Sequence, residues 1–306
     1  MGDLSTTPTT LRSATAEARV EVGEAGIALV REGTPAERDV EQAARVAGLL
    51  AAKQVPSWLP QRPAVTLLDT EITVELTDGA VALEALVQTV APTGVEVEAL
   101  AAATAAALAV HDLLAPHVDD LEVTGVRLVE SRGGAAQFDR KVEGASAVVL
   151  VLSDTVAAGR KPDTAGRTVV AGLEGAGFAV AGYEVLPDEP EELAARLDEW
   201  LARRPDLVIT VGGTGLGPRD RTVEVVRPLL TTEIPGLMEA ARSFGQARTP
   251  YAMLSRGVAG LAGGSVVATF PGSRRGAEET LAAILPGLVH LIEVQRVVAR
   301  HDGGYT

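Results

Sequence analysis

The apolar run Leu207-Val208-Ile209-Thr210 leads directly into Val211-Gly212-Gly213-Thr214-Gly215-Leu216-Gly217-Pro218-Arg219-Asp220-Arg221-Thr222. No other stretch limits the fold as tightly. A continuous apolar run bounded by turn residues reads as a strand buried on both faces, as in a parallel sheet. The glycines permit positive φ and close approach of a ligand to the backbone. The residues after Asp220 are amphipathic and read as a helix. Strand, glycine loop and helix start together bring backbone N–H groups and a helix N-terminus against a phosphate. Thr214 adds a hydroxyl, Arg219 a charge clamp and Asp220 a candidate metal ligand. A glycine-rich turn after a strand is also routine structure, so the loop alone does not decide a function.

The surrounding sequence keeps a β–α rhythm. Strands are expected over 146–152, 178–186, 207–210 and 265–270. Helices are expected over 164–175, 189–203, 220–230 and 235–244, and over 276–294 with a break at Pro286. Repeated βα units define an α/β domain with a mostly parallel sheet flanked by helices. Ligands bind such sheets beyond the carboxyl ends of the strands. Four clusters fall there: Ser153-Asp154 with Asp163 and Gly166 following, Pro187-Asp188, the glycine loop through Asp220 and Thr222, and Pro271-Gly272-Ser273. Asp163, Asp188 and Asp220 also sit where a helix N-cap is wanted, which is a purely structural use of aspartate.

The first half reads differently. A helix is expected over 39–53, a hairpin over 65–76 and 80–90 around Thr77-Asp78-Gly79, an Ala-rich helix over 95–114 and a strand over 121–129. Antiparallel strands with helices on one face make an α+β, ferredoxin-like domain. The expected organisation is a disordered tail (1–10), a first domain (11–131), a linker (132–145), a second domain (146–298) and a tail (299–306).

Composition removes several classes. Among 306 residues there is no cysteine, which excludes disulfides, zinc–thiolate sites and a thiol nucleophile and fits a cytoplasmic protein. The four histidines are scattered and suggest no metal site. The net charge of −14 argues against nucleic acid, and no signal-peptide or membrane-spanning pattern is expected. Residues 1–145 carry 22 acidic against 11 basic residues, and 146–306 carry 19 against 16. The second half is the better host for a polyanion.

From Val148 to about Val294 the chain resembles the molybdopterin adenylyltransferases of the MogA/MoaB type. The resemblance rests on Ser153-Asp154, Asp163 with Gly166, Pro187-Asp188, Gly212-Gly213-Thr214-Gly215 with Arg219-Asp220 and Thr222, Ile234-Pro235-Gly236, Leu254-Ser255-Arg256 and Pro271-Gly272-Ser273. It implies adenylyl transfer from ATP to molybdopterin with Mg²⁺, releasing pyrophosphate. By the match, Asp188 and Asp220 are the catalytic and metal-binding carboxylates. The glycine loop, Ser255 and Ser273 are implied to hold phosphate or pterin groups. The implied nucleophile is a phosphate with a second pKa around 6, so no general base is needed. A carboxylate beside phosphates is repulsive unless a cation lies between them, and Mg²⁺ takes one or two carboxylates plus phosphate oxygens.

The first half resembles cyclic pyranopterin monophosphate synthase of the MoaC type. The matching residues include Asp39-Val40, the run from Ala44 to Lys53, Thr93-Gly94-Val95-Glu96-Val97-Glu98-Ala99-Leu100, His111-Asp112-Leu113 and Val126-Arg127-Leu128. That family holds a GTP-derived cyclic triphosphate with lysines and a histidine. Here the lysine of Lys-Gly-Asp-Val is Glu37, and Cys-His-Pro becomes Gln61-Arg62-Pro63. A later lysine is Ala115, and Gly-Gly-Lys-Ser-Gly becomes Gly133-Gly134-Ala135-Ala136-Gln137. Only Arg12, Glu96, Glu98 and Asp112 remain at family positions. Exchanging lysine for glutamate reverses an interaction of about 4 kcal/mol at 4 Å. The expected role is non-catalytic: assembly, or presentation of intermediates. Both resemblances imply small-molecule substrates, a homo-oligomer (trimer or hexamer) and other enzymes of the cofactor pathway as partners. A bifunctional enzyme and a molybdopterin-binding scaffold remain the alternatives.

Overall fold

The computed structural model describes residues 4, 7–32, 39–134 and 141–296. The chain divides into two compact units, Met1–Phe138 and Asp139–Thr306. The expected tail at 299–306 lies outside the described residues, as does Glu37.

Unit 1 runs β1 (Thr10–Glu21), α1 (Gly23–Glu32), α2 (Val40–Trp58), β2 (Leu67–Thr77), β3 (Ala80–Ala91), α3 (Glu96–Leu114) and β4 (Glu122–Arg132). The sheet order β2-β3-β1-β4 is antiparallel throughout, which is the ferredoxin-like arrangement. The hairpin turns at Asp78-Gly79, where Gly79 has φ +75°, as a tight β-hairpin turn requires. Strand β1 and helix α1 were not expected from sequence. In β1, Ala14, Ala16, Ala18 and Val20 are buried in strict alternation with partly exposed Ser13, Thr15, Glu17 and Arg19. The period of two is complete, but alanine is a poor strand former, and pairing to both β3 and β4 supplies what propensity lacks.

Helix α3 buries Ala99, Ala102, Ala103, Ala106, Ala107, Val110 and Leu114. These positions make one helical face, and their small side chains let the helix approach the sheet and α2 closely. By length and composition α3 is the one described helix apolar enough to cross a membrane. Its apolar face is instead the core of unit 1.

Unit 2 runs β5 (Ser146–Leu152), α4 (Asp154–Ala157), α5 (Ala165–Gly175), β6 (Ala179–Leu186), α6 (Pro190–Ala202), β7 (Leu207–Val211), α7 (Thr222–Val226), β8 (Thr232–Glu233), α8 (Pro235–Gln246), β9 (Ala259–Ala262), β10 (Ser265–Phe270) and α9 (Arg274–Arg296). The sheet order is β6-β5-β7-β10-β9-β8. The first four strands are parallel, and β9 and β8 are antiparallel. Every residue of β7 and β10 is buried, with one core cluster on each face of the sheet. The chain leaves β5 toward β6 and then crosses back to β7. The switch point of the sheet therefore lies between the carboxyl ends of β5 and β7.

Three details differ from expectation. Helix α9 continues through Pro286. Proline removes one N–H and strains the preceding turn, yet Leu281, Ile284, Leu288, Val289 and Ile292 anchor the helix on both sides. The expected helix over 220–230 is shorter, Thr222–Val226 followed by a 3-10 turn. The expected linker is partly structural, since Val142 and Ala145 join the core. The Arg296 guanidinium also donates to the carbonyls of Glu143 and Gly144 at 3.1 and 2.6 Å. Residues 135–140 of that segment lie outside the described residues.

Candidate functional site

A cleft of about 560 Å³ opens at the switch point. It is lined by the ends of β5 and β7, the start of α5, Asp188, the glycine loop with Asp220, Tyr251, Leu254 and Ser255, and Pro271-Gly272-Ser273. Ser153, Asp163, Asp188, Gly212, Gly213, Thr214, Gly215, Asp220, Ser255, Pro271, Gly272 and Ser273 thus share one cavity. Asp154, Arg219 and Thr222 are not part of its lining.

The glycine loop is held from several sides. Gly212 N–H donates to the Phe270 carbonyl at 2.9 Å, and Gly212 and Gly213 have φ of +113° and +65°. A side chain on Gly212 would strike the Leu152 carbonyl, and one on Gly213 would strike Thr222. The Thr222 hydroxyl donates to the Gly212 carbonyl at 2.9 Å, so Thr222 shapes the loop from within the protein. Arg256 donates to the carbonyls of Gly215 and Asp220 at 2.7 and 2.6 Å and pairs with Glu224. That hydrogen bond holds the Glu224 carboxyl below the usual range. Arg256 was visible in the sequence only as part of Leu254-Ser255-Arg256; its bracing role needed the fold. The N–H groups of Gly213, Thr214 and Gly215 have no hydrogen-bond partner among the described residues. A run of unengaged donors beside the amino ends of α5 and α9 suits an oxyanion.

The aspartates differ in how far they are committed. Asp163 accepts from Gly166 N–H (3.0 Å), Arg167 N–H (3.1 Å) and Tyr183 O–H (2.6 Å), so both its oxygens fix the start of α5. Burial, aided by the Asp163 hydrogen bond, pushes the Tyr183 phenol up to about 12. Asp154 and Asp188 accept each other's backbone N–H, at 3.1 Å into Asp154 and 3.2 Å into Asp188. Arg219 pairs with Asp154 at 3.0 Å and with Glu189 at 2.7 Å, which places the expected clamp outside the cleft lining. Asp220 accepts from Gly217 N–H at 2.7 Å and does not cap the following helix. Ser153 accepts from Val156 N–H and Ser273 from Gly276 N–H, so both hydroxyls cap helices.

Asp188 and Asp220 each have one oxygen bound by a backbone N–H and one without a hydrogen-bond partner among the described residues. Burial raises the Asp188 carboxyl above its usual range; an N–H bond and Arg219 oppose this, and the charges of Asp154 and Asp220 add to it. Among the described residues no three His, Cys, Asp or Glu side chains form a complete cage for a metal. Two hard carboxylate oxygens in an open cleft fit Mg²⁺, which completes its shell with water and phosphate. Lys161, in the loop between Asp154 and Asp163, also lines the cleft.

In unit 1 the family-like residues divide. Arg12, 9% exposed, reaches the Pro92 carbonyl at 3.3 Å. Burial lowers its pKa, and the Glu96 charge opposes this. Arg62 pairs with buried Glu98 at 2.9 Å and donates to the Gly94 carbonyl at 2.9 Å. Asp112 lies near the other end of α3, 16 residues beyond Glu96, or roughly 24 Å along a helix.

The fold and site are those of an α/β domain whose candidate site, a glycine loop with unengaged N–H donors and two half-engaged aspartates, lies at the switch point of its sheet, in a chain that also carries a ferredoxin-like unit. Residues 148–290 match the family described as probable molybdopterin binding domain, and residues 1–134 match the MoaC family. The chain is 36% identical over 293 residues to a molybdenum cofactor biosynthesis bifunctional protein of Chlorobaculum tepidum, covering 95% of this chain and 92% of that one. A protein of the same name from Synechococcus elongatus is 32% identical over 308 residues, covering 96% and 97%. The molybdopterin biosynthesis enzyme MoaB of Thermus thermophilus is 44% identical over 49% of this chain and 96% of its own, with a TM-score of 0.47. The chain belongs to the family of two-domain molybdenum cofactor biosynthesis proteins, and it is an enzyme of that pathway.

Proposed function

We propose that unit 2 transfers the adenylyl group of ATP to molybdopterin with Mg²⁺, and that unit 1 is not catalytic. The observation that carries the first part is that Asp188 and Asp220 line one cleft, each with an unengaged oxygen, beside three free N–H groups of the glycine loop. The terminal phosphate oxygen of molybdopterin attacks the α-phosphorus of ATP. The bond from that phosphorus to the bridging oxygen breaks, and pyrophosphate leaves. The nucleophile is already an anion near neutral pH, so the absence of histidine from the described cleft lining is no obstacle.

The work left to the protein is alignment and charge neutralisation. N–H groups of Gly213, Thr214 and Gly215 bind phosphate oxygens, and Lys161 adds positive charge. Asp188 and Asp220 hold the Mg²⁺, which supplies Lewis-acid neutralisation of the phosphates when bound. Arg256 and Thr222 keep the loop in place.

For unit 1 the supporting observation is the Arg62–Glu98 pair. Arginine stands where the family has histidine, and its charge is spent on a buried carboxylate. The relatives are named bifunctional, so activity of both units is the second reading. The test is to supply the full-length chain separately with ATP plus molybdopterin and with the GTP-derived cyclic triphosphate. Pyrophosphate release in the first assay and no cyclic pyranopterin monophosphate in the second is expected. Product in the second assay would refute the non-catalytic assignment.

A further inference from the structure

Among the described residues, unit 2 exposes four large apolar side chains: Leu216, Tyr251, Met253 and Leu254, at 69, 72, 62 and 51%. They are not scattered. Leu216 in the glycine loop, and Tyr251 and Leu254 in the segment after α8, all border the switch-point cleft, and Met253 lies between the last two in sequence. The mouth of the cleft therefore has two apolar lips. Such lips contribute nothing to holding phosphates, and apolar surface gathered in one place is costly to leave in water.

The second lip is tied at its ends and loose between them. Thr249 N–H donates to the Gly245 carbonyl at 2.9 Å, and Arg256 N–H donates to the Thr214 carbonyl at 3.0 Å. Between these ties the chain makes a 3-10 turn, in which Leu254 N–H donates to the Tyr251 carbonyl and Ser255 N–H to the Ala252 carbonyl. Among the described residues, the one hydrogen bond that leaves 250–254 for another element runs from Met253 N–H to the Gln246 side-chain oxygen, at 3.2 Å. The turn rests on α8 through Ala252, at a point where α8 presents only Gly245. A compact turn with so few ties moves without unravelling the helix beneath it.

We propose that residues 250–254 are a lid that closes over the nucleotide-filled cleft, laying Tyr251 and Leu254 against Leu216. This rests on adenylyl transfer as the reaction of unit 2 and adds how water is kept from it. Water attacking the α-phosphorus of ATP would form the new P–O bond in place of the molybdopterin phosphate, give up its proton to solvent, and release AMP and pyrophosphate. Closed apolar lips shut that water out.

The sequence has no cysteine, so a pair introduced at the lips reports their approach without interference. The full-length chain carrying Leu216→Cys with Leu254→Cys, or Leu216→Cys with Tyr251→Cys, is oxidised with and without Mg²⁺ and the α,β-methylene analogue of ATP. A disulfide needs Cα atoms within about 7 Å. In at least one pair the analogue is expected to speed cross-linking within a chain by about tenfold or more. Rates that ignore the analogue, or no cross-link in either pair, overturn the proposal. So does a cross-link formed only between chains, which would show that a second copy covers the lips. Should the variants fail to fold, hydrogen exchange at the amides of 251–254 in the wild type decides. Slowing of about tenfold with the analogue is expected, and unchanged exchange overturns the lid. In Leu216→Ser, AMP should make up an about tenfold larger share of the products released with pyrophosphate; an unchanged share overturns the exclusion of water. Cross-linking that answers to the analogue, with no pyrophosphate from ATP and molybdopterin, would sink adenylyl transfer and leave the lid standing. Pyrophosphate release with cross-linking indifferent to the analogue would sink the lid alone.

Discussion

Glu98 in unit 1 and Asp188 in unit 2 are both carboxylates at family positions, and the protein treats them in opposite ways. Glu98 is 1% exposed and is met by Arg62 at 2.9 Å. Asp188 borders an open cleft, has other carboxylates for neighbours and keeps one oxygen unengaged. Each keeps one oxygen without a partner among the described residues. The Glu98 oxygen is sealed in the interior beside an internal cation. The Asp188 carboxylate borders an open cleft where, on the proposed function, a cation from solution binds. The lesson is that an acidic residue at a family position is not by itself a site; the partner and the solvent it faces decide what it is free to bind.

The largest expected effect sharpens the second half of that contrast. Asp220→Asn keeps an oxygen for Gly217 N–H but removes the charge. Steady-state pyrophosphate release should fall by about 10³-fold, several kcal/mol of transition-state stabilisation. Turnover close to wild type would break the contrast.

Next comes Arg62→Ala, which leaves Glu98 buried and unpaired. Breaking a buried pair in this way costs about 3 kcal/mol, to be read as a lower urea midpoint for the full-length chain. Pyrophosphate release under native conditions should not change. A loss of that activity with no loss of stability would mean that unit 1 serves the reaction directly.

The smallest effect concerns a third arrangement, a carboxylate paired near the surface. Burial alone would raise Asp206, but hydrogen bonds from Arg296 and Ser146 outweigh it and hold the carboxyl below its ordinary range. A depressed folded-state pKa contributes stability above the unfolded value, near 3.9, and that contribution is lost as pH falls through the folded value. Asp206→Asn should therefore cost about 1 kcal/mol at neutral pH and flatten the acid limb of a stability–pH curve below pH 4. Urea unfolding at several pH values reads both.

What the sequence disclosed follows from burial. The strands Ser146–Leu152 and Leu207–Val211 are covered on both faces and announce themselves as apolar runs. Strand β9 is Ala-Gly-Leu-Ala and β8 only two residues long; β9 exists because β10 offers an edge to pair with, and β8 because β9 does, which no local pattern reports. Strand β1 has the right period in residues of weak strand preference. At the cleft, the glycine loop and Asp188 were legible because backbone turns and acidic residues at strand ends leave local signatures. The hydrogen bond from Tyr183 to Asp163 and those that turn Arg219 toward Asp154 and Glu189 span 20 to 65 residues in sequence.

The decisive measurement is binding of Mn²⁺ to the full-length chain in the presence of a non-hydrolysable ATP analogue, followed by electron paramagnetic resonance. Wild type should bind the ion, and Asp188→Asn or Asp220→Asn should each weaken it by about tenfold or more. Undiminished binding in both variants would show that these aspartates brace the loop and do not hold the metal.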